Sequence, residues 1–240
     1  MEKKDFDNEN IVLQSFDRSS LHKSQNNTSK DEEMKRRSMV MRDACIKHGL
    51  QNTSINPWEY FINYKYSLVW CNVFKSGSTS WMFIMNALAG YSETFLKETK
   101  RYPLLMAREK YTRPSKKDLL KVLENGKTVS VIIGRHPFER VVSAYRDKIV
   151  GAKDFTLHDK IRRNITSYFR GVRIPKVIHS LKYIYSHSNA QGKRLPREYI
   201  PTFPEFVRYL VRENAEGKEP DLHWAPVYKF CTPCQVVMSV

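Results

Sequence analysis

At 240 residues, 41% apolar and 12% aromatic, the chain has material for one globular domain with a substantial core, which excludes a wholly disordered protein. Lys and Arg number 41 against 25 Asp and Glu, for a formal net charge of +16. That excess calls for an anionic partner and leaves nucleic acid, membrane surface, nucleotide and acidic polysaccharide all open.

In chain order, residues 1–33 are rich in Asn, Ser, Asp and Lys without apolar periodicity and read as a disordered tail, with a folded domain over 34–240. The start, Met1 to Asp5, is polar, and no stretch reaches the ~18 apolar residues of a membrane span. The expectation is either a cytosolic protein or a targeting segment lying outside this chain. Met34 to Leu50 carries Met39, Val40, Met41, Ala44 and Cys45 among basic residues and predicts a short amphipathic helix. Tyr66 to Phe74 is β-branched, aromatic and nearly continuously apolar, as a buried parallel strand should be. Lys75-Ser76-Gly77-Ser78-Thr79-Ser80 follows, and Trp81 to Leu88 reads as a buried helix ending near Gly90. Ser115 to Glu124 reads as a helix closed by Asn125-Gly126. Thr128 to Gly134 is a second strand, and a helix opens in Arg135 to Arg146, with Pro137 suited to its first turn. Strand, loop, helix, repeated, predicts an α/β domain with a central parallel sheet and P-loop-like units.

A loop joining a strand end to a helix start aims backbone N–H groups and the helix dipole at whatever lies above it, which favours phosphate or sulfate. In the first loop Ser76, Ser78, Thr79 and Ser80 supply hydroxyls, Gly77 frees the backbone, and Lys75 supplies a mobile cation. The nucleotide-kinase pattern G-x-x-x-x-G-K-[ST] is absent, because here the Lys precedes the Gly. In the second unit Arg135 falls at the carboxyl end of its strand and Ser143 lies two helical turns on, both placed to hold a second phosphate, with Arg140 between them. Two strand-end anion sites call for a ligand with two separated anionic groups.

The four cysteines are Cys45, Cys71 and the C-x-x-C pair Cys231 and Cys234. Half a zinc site, a redox motif and bonds to distant partners all fit that pair. Asn26, Asn27, Asn52 and Asn164 open N-x-[ST] sequons, which permit a secretory reading.

The segments Val73 to Trp81 and Arg135 to Lys148 resemble the two PAPS-binding motifs of sulfotransferases, PAPS being 3′-phosphoadenosine 5′-phosphosulfate. The closest likeness is to the Golgi carbohydrate group that includes chondroitin and dermatan 4-O-sulfotransferases and the glucuronyl 3-O-sulfotransferase. Asp221 to Pro226 followed by Cys231 to Cys234 is similar to a third signature of that group. The resemblance implies that the first motif binds the 5′-phosphosulfate and the second, including Arg140, the 3′-phosphate. Lys75, at the strand end before the helix, is the candidate for neutralising the departing 5′-phosphate oxygen, His223 is the candidate base, and no metal is required because Lys75 and the loop amides supply the positive field. The resemblance points to an anionic glycan as acceptor, and to a Golgi membrane protein whose anchor lies outside this chain. Members of the group also continue beyond the cysteine pair, so the domain is expected to be truncated. His136 neighbours the 3′-phosphate motif, too far from the sulfuryl group to act, and a structural His223 packed on Trp224 is the competing reading for that residue. The basic residues Lys160, Arg162, Arg163, Arg170, Arg173, Lys176, Lys193, Arg194 and Arg197 are expected to face the acceptor. Two rivals are a PAPS-binding pseudoenzyme and a nucleic-acid-binding protein; no nucleic-acid motif is visible.

Overall fold

A computed structural model describes residues 27–152, 156–171 and 199–236. The opening helix α1 runs Asn27–Lys47, so it starts inside the segment expected to be a tail; residues 1–26 of that segment lie outside the described residues. Glu33 bonds both Arg36 and Arg37, pairs at i,i+3 and i,i+4 that support a helix there.

The sheet has three strands among the described residues: β1 Tyr60–Asn63, β2 Leu68–Cys71 and β3 Val129–Ile132, in the order β1-β2-β3. β2 and β3 fall inside the two expected strands and pair in parallel, while β1 pairs antiparallel with β2. The domain is therefore mixed α/β with a small mixed sheet. β1 escapes a pattern search because its apolar run is only Tyr60 to Ile62, between the polar Glu59 and Asn63, whereas β2 and β3 sit in longer runs rich in apolar and β-branched residues. Its hairpin is made locally, where Asn63 Oδ1 accepts from Tyr66 N–H at 3.1 Å and Ser67 takes φ +47°.

Both sheet faces are covered, which is why the strands read as unbroken apolar runs. Alternation sends Tyr60, Ile62, Val69 and Cys71 to one face, against Leu119, Ala225, Phe230 and Cys231. Phe61 and Trp70 go to the other, against Met82, Met85, Ala107 and Tyr111. Met82 and Met85 come from α2 Ser78–Leu88, Ala107 from α4 Pro103–Lys110 and Leu119 from α5 Lys116–Leu123, with α3 Glu93–Glu98 between α2 and α4; Tyr111 closes α4, and Ala225, Phe230 and Cys231 come from the segment after residue 221. The α5 start expected from sequence is fixed by a capping box, Ser115 with Asp118.

After β3, α6 runs Pro137–Ala144 with Pro137 in its first turn, then widens into a π-helical turn over Tyr145–Val150. α7 Leu157–Arg170 and α8 Phe203–Ala215 follow. Ile149, Ile165, Phe206 and Tyr209 form their shared core, with Trp224 packed at its edge.

The cysteines bond at long range: Cys45 to Cys234 and Cys71 to Cys231, over 189 and 160 residues. Of the three readings of the C-x-x-C pair, the structure takes bonds to distant partners, since each cysteine of the pair is consumed separately. The tail end of the domain is thereby stapled to α1 and to β2, directly below the first loop.

Candidate functional site

The loop after β2 holds two residues in left-handed conformations, Lys75 at φ +66° and Gly77 at φ +77°. The glycine answers to that φ, because no atom lies within 4 Å of where a Cβ would stand. Lys75 has no such excuse, and a non-glycine residue held there is the kind of local strain that collects at functional sites. Gly77 caps α2 without any side-chain hydrogen bond, whereas α5 and α8 each carry a full capping box. The first-turn amides of α2 are thus left to a ligand or water. Ser76 is buried and its Oγ has no hydrogen-bond partner among the described residues.

Two cavities flank this loop. The first, about 270 Å³, is lined by Lys75, Ser78, Thr79, Asn72, Lys148 and His223 among others. The second, about 580 Å³, is lined by Arg135, Ser143, Arg146, Phe138 and Glu139. Lys75 and Asp147 line both and form their common wall. Lys75 Nζ donates to Asp147 Oδ2 at 2.8 Å, and Lys148 Nζ reaches the same oxygen at 3.2 Å. Burial pushes the Asp147 carboxyl up, but hydrogen bonds from Lys75 and Lys148 outweigh it and hold the group below the usual carboxylate range. Asp147 and Lys148 reach the wall because the π turn rotates them off the face that α6 alone would give them.

The structure thus brings Lys75, Ser78 and Thr79 together with His223, and separately Arg135 with Ser143 in the adjoining cavity. Arg135 Nη1 donates to the Lys75 carbonyl at 3.4 Å and its Nε to Glu139 at 3.2 Å, so the two loops touch. Ser80 is exposed and lines neither cavity.

Arg140 departs from expectation. It is buried, lines neither cavity, and donates to three backbone carbonyls: Phe74 at 2.8 Å, Ala225 at 2.6 Å and Leu222 at 2.8 Å. With its guanidinium so engaged it is a clamp between Phe74 and the Asp221–Pro226 loop. Of the basic residues expected to face the acceptor, three on α7 are engaged in ion pairs. Arg162 and Arg163 pair with Asp159, and Arg170 pairs with Glu205 at 2.6 Å; these ion pairs fasten α7 internally and to α8. Lys160 is exposed. Arg173, Lys176, Lys193, Arg194 and Arg197 lie outside the described residues.

His223 sits in the wall of the first cavity, packed on Phe74 at 4.8 Å between ring centres. The ring that meets Trp224 is that of His158, at 6.1 Å. His223 Nδ1 lies 2.6 Å from Asp221 Oδ1, and the second oxygen of that carboxylate lies 3.2 Å from His158 Nε2. Burial draws the His223 imidazole below its ordinary value, against the opposing pull of Asp221, so the neutral ring is favoured. Nothing among the described residues bonds its Nε2. His136 is exposed and lines neither cavity.

Sequence reasoning missed Asp147, His158 and Asn72. Asn72 is buried, is held by Glu59 at 3.1 Å, and lines the first cavity with an Oδ1 that has no partner among the described residues. A polar residue at a strand end beside a candidate anion loop was the one available signal for it.

A family model described as the sulfotransferase family matches residues 58–240. The chain belongs to that family. Human carbohydrate sulfotransferase 8 is 26% identical over 227 residues, covering 90% of this chain and 46% of the relative. Rat carbohydrate sulfotransferase 11 is 29% identical over 178 residues, 71% of this chain and 44% of the relative. Human carbohydrate sulfotransferase 14 is 26% identical over 215 residues, 83% and 49%. The chain therefore spans about half the length of the curated relatives it matches. No solved structure matches. Residues from both segments that resemble sulfotransferase motifs line the cavities just described. Among the described residues no helix is long and apolar enough to cross a membrane.

Proposed function

We propose that this sulfotransferase-family chain transfers the sulfuryl group of PAPS to a hydroxyl of a glycan. The observation that carries the reading is the shared wall: one cation, Lys75, stands between a cavity with a neutral histidine and a cavity with an arginine and a serine. A ligand with two separated anionic ends fits that arrangement. The uncapped α2 start, Ser78, Thr79 and Lys75 suit the phosphosulfate end, and Arg135 with Ser143 suits the 3′-phosphate end.

Bound there, PAPS supplies an activated sulfuryl group. His223 Nε2 takes the acceptor hydroxyl proton while the new oxygen–sulfur bond forms and the bond to the bridging oxygen breaks. Lys75 neutralises the charge that grows on the leaving 5′-phosphate oxygen of adenosine 3′,5′-bisphosphate. To do so its ammonium exchanges Asp147 for that oxygen. Because the base must be neutral, turnover is retained above the lowered His223 value and lost as pH falls through it.

The acceptor is proposed to be an anionic glycan, supported by the +16 charge, and the location to be the Golgi lumen through an anchor outside this chain. Two long-range disulfides suit an oxidising compartment.

The test is turnover of labelled PAPS with mixed glycosaminoglycan acceptors by the chain and its Lys75→Ala variant. The expected result is product from the wild type and a kcat lower by roughly 10²–10³ in the variant, the scale for losing one preorganised donor. A normal kcat with only a raised KM for PAPS makes Lys75 a uniform-binding anchor. Nucleotide binding without turnover makes the chain a pseudoenzyme.

A further inference from the structure

The Asp221 carboxylate is bonded on both sides, Oδ1 to His223 and Oδ2 to His158, and the three side chains are each less than a fifth exposed. His223 Nδ1 can approach a carboxylate this closely only as the donor, so its proton sits on Nδ1 and the lone pair on Nε2. A carboxylate held by one histidine alone can rotate about its Cβ–Cγ bond. Held by two, it cannot rotate without breaking a bond. His158 is itself wedged: its ring meets His223 edge-on at 5.0 Å and Trp224 at 6.1 Å, and Trp224 packs on Phe206 of α8 at 5.3 Å. The His223 backbone N–H adds a further bond to Asp221 Oδ1 at 2.9 Å.

We propose that His158 is a positioning residue, which through Asp221 fixes the tautomer and direction of His223 and so aims its Nε2 at the acceptor hydroxyl. This rests on the reading of His223 as the base. It adds a residue from α7, 63 positions away from Asp221, that no motif in the sequence marks. The other groups facing His223 are Lys148 from the π turn and, across the first cavity, Lys75 and Asp147. Burial works against the Asp221 charge, yet the hydrogen bonds from His158 and His223 outweigh it and hold the carboxyl well below the usual range. Asp221 is therefore an acceptor to both rings throughout. The proton removed from the acceptor hydroxyl ends on His223 Nε2, giving an imidazolium whose Nδ1–H stays on Asp221; His158 donates throughout and exchanges no proton.

The experiment compares the wild type, His158→Ala, His158→Gln and His223→Gln by steady-state kinetics, and by nitrogen-15 NMR of the histidine side chains. The proposal expects the wild-type His223 to be protonated on Nδ1, and mixed tautomers in His158→Ala. It expects kcat in His158→Ala to fall about tenfold, the scale of losing an orienting outer partner, with KM for PAPS unchanged. His158→Gln keeps a donor in place of Nε2–H without titrating, and should restore both tautomer and most of kcat. An unchanged His223 tautomer with full kcat in a folded His158→Ala protein overturns the proposal. If His158→Ala does not fold, a His158→Gln protein with mixed tautomers likewise overturns it. Full kcat in His223→Gln sinks the base assignment instead, while the NMR comparison still decides whether His158 orients His223. The three side chains also bring nitrogen and oxygen atoms within 4.8 Å of one another. A loss of wild-type activity in a chelator, restored by zinc ions, would show the cluster holding a cation and would overturn the positioning role.

Discussion

The two cavities share a wall and are built by opposite means. The first is bordered by fixed structure: β2 is stapled through Cys71–Cys231, Arg140 ties Phe74 to the Asp221–Pro226 loop, and His223 is held by a carboxylate bonded twice. The second is an open face of α6, where Arg135 is 41% exposed and its carboxylate partner Glu139 64% exposed. Bond breaking needs atoms held to fractions of an ångström, whereas anchoring a distant phosphate needs charge and reach. On that view rigidity belongs where the reaction is proposed to occur, and the nucleotide's far end is served by side chains that settle on binding.

The strongest way to break the contrast is to remove the staples. Cys71–Cys231 closes a 160-residue loop, and Cys45–Cys234 then adds only the short paths from 45 to 71 and from 231 to 234. With either pair in place the other adds only those short paths, so replacing Cys71 and Cys231 by Ala, or Cys45 and Cys234 by Ala, should cost equally, about 2–5 kcal/mol in urea unfolding. Replacing all four should leave little folded protein at physiological temperature. Clearly unequal effects for the two pairs would mean that local fit, and not nesting, decides.

Next in size is Arg140→Ala. It leaves the carbonyls of Phe74, Leu222 and Ala225 without their buried donor, at a cost of about 3 kcal/mol or more. Arg140→Lys should recover little, because one ammonium cannot span three carbonyls set around a planar fork. Denaturant midpoints measure both. A loss below ~1 kcal/mol, combined with weakened nucleotide binding, would return Arg140 to the role of phosphate ligand.

Much of this was legible in the sequence, and the limit is physical. β2 and β3, the body of α2 and Pro137 in the first turn of α6 follow from local pattern, and so did the gathering of Lys75, Ser78 and Thr79 in one cavity and Arg135 with Ser143 in the next; α2 starts at Ser78, three residues before the expected Trp81. The cysteine pairing was not legible, since spacing cannot choose among distant partners. Arg140 could be told from Arg135 only by burial, five residues apart on one turn-and-helix segment. Asp147 depends on a π turn with no sequence signature here, and His158 on how α7 packs beside a loop far along the chain. Residues whose role is local show themselves in the chain; residues that act by touching something remote do not.

The smallest expected effect bears on the open cavity. Arg135→Ala removes a guanidinium that lines the second cavity beside Ser143 and bonds Glu139 and the Lys75 carbonyl. If it holds the 3′-phosphate, the loss appears only for nucleotides that carry one. Adenosine 3′,5′-bisphosphate should bind more weakly by about 1.5–3 kcal/mol, the range for a hydrogen bond to a charged group, and adenosine 5′-monophosphate should be unaffected. The exposure of the side chain places the effect toward the lower end, since water and salt screen what burial would concentrate. The difference should therefore shrink as ionic strength rises, whereas effects from the rigidly bordered first cavity should persist. Glu139→Gln serves as the control: it removes the competing carboxylate and should tighten binding slightly, because Arg135 then has one partner fewer to leave. Titration calorimetry of both nucleotides at two salt concentrations measures each of these. Equal losses for the two nucleotides would take the 3′-phosphate away from Arg135. A salt-independent loss would mean that the second cavity closes around its ligand, and the contrast between a rigid and an open half would then fail.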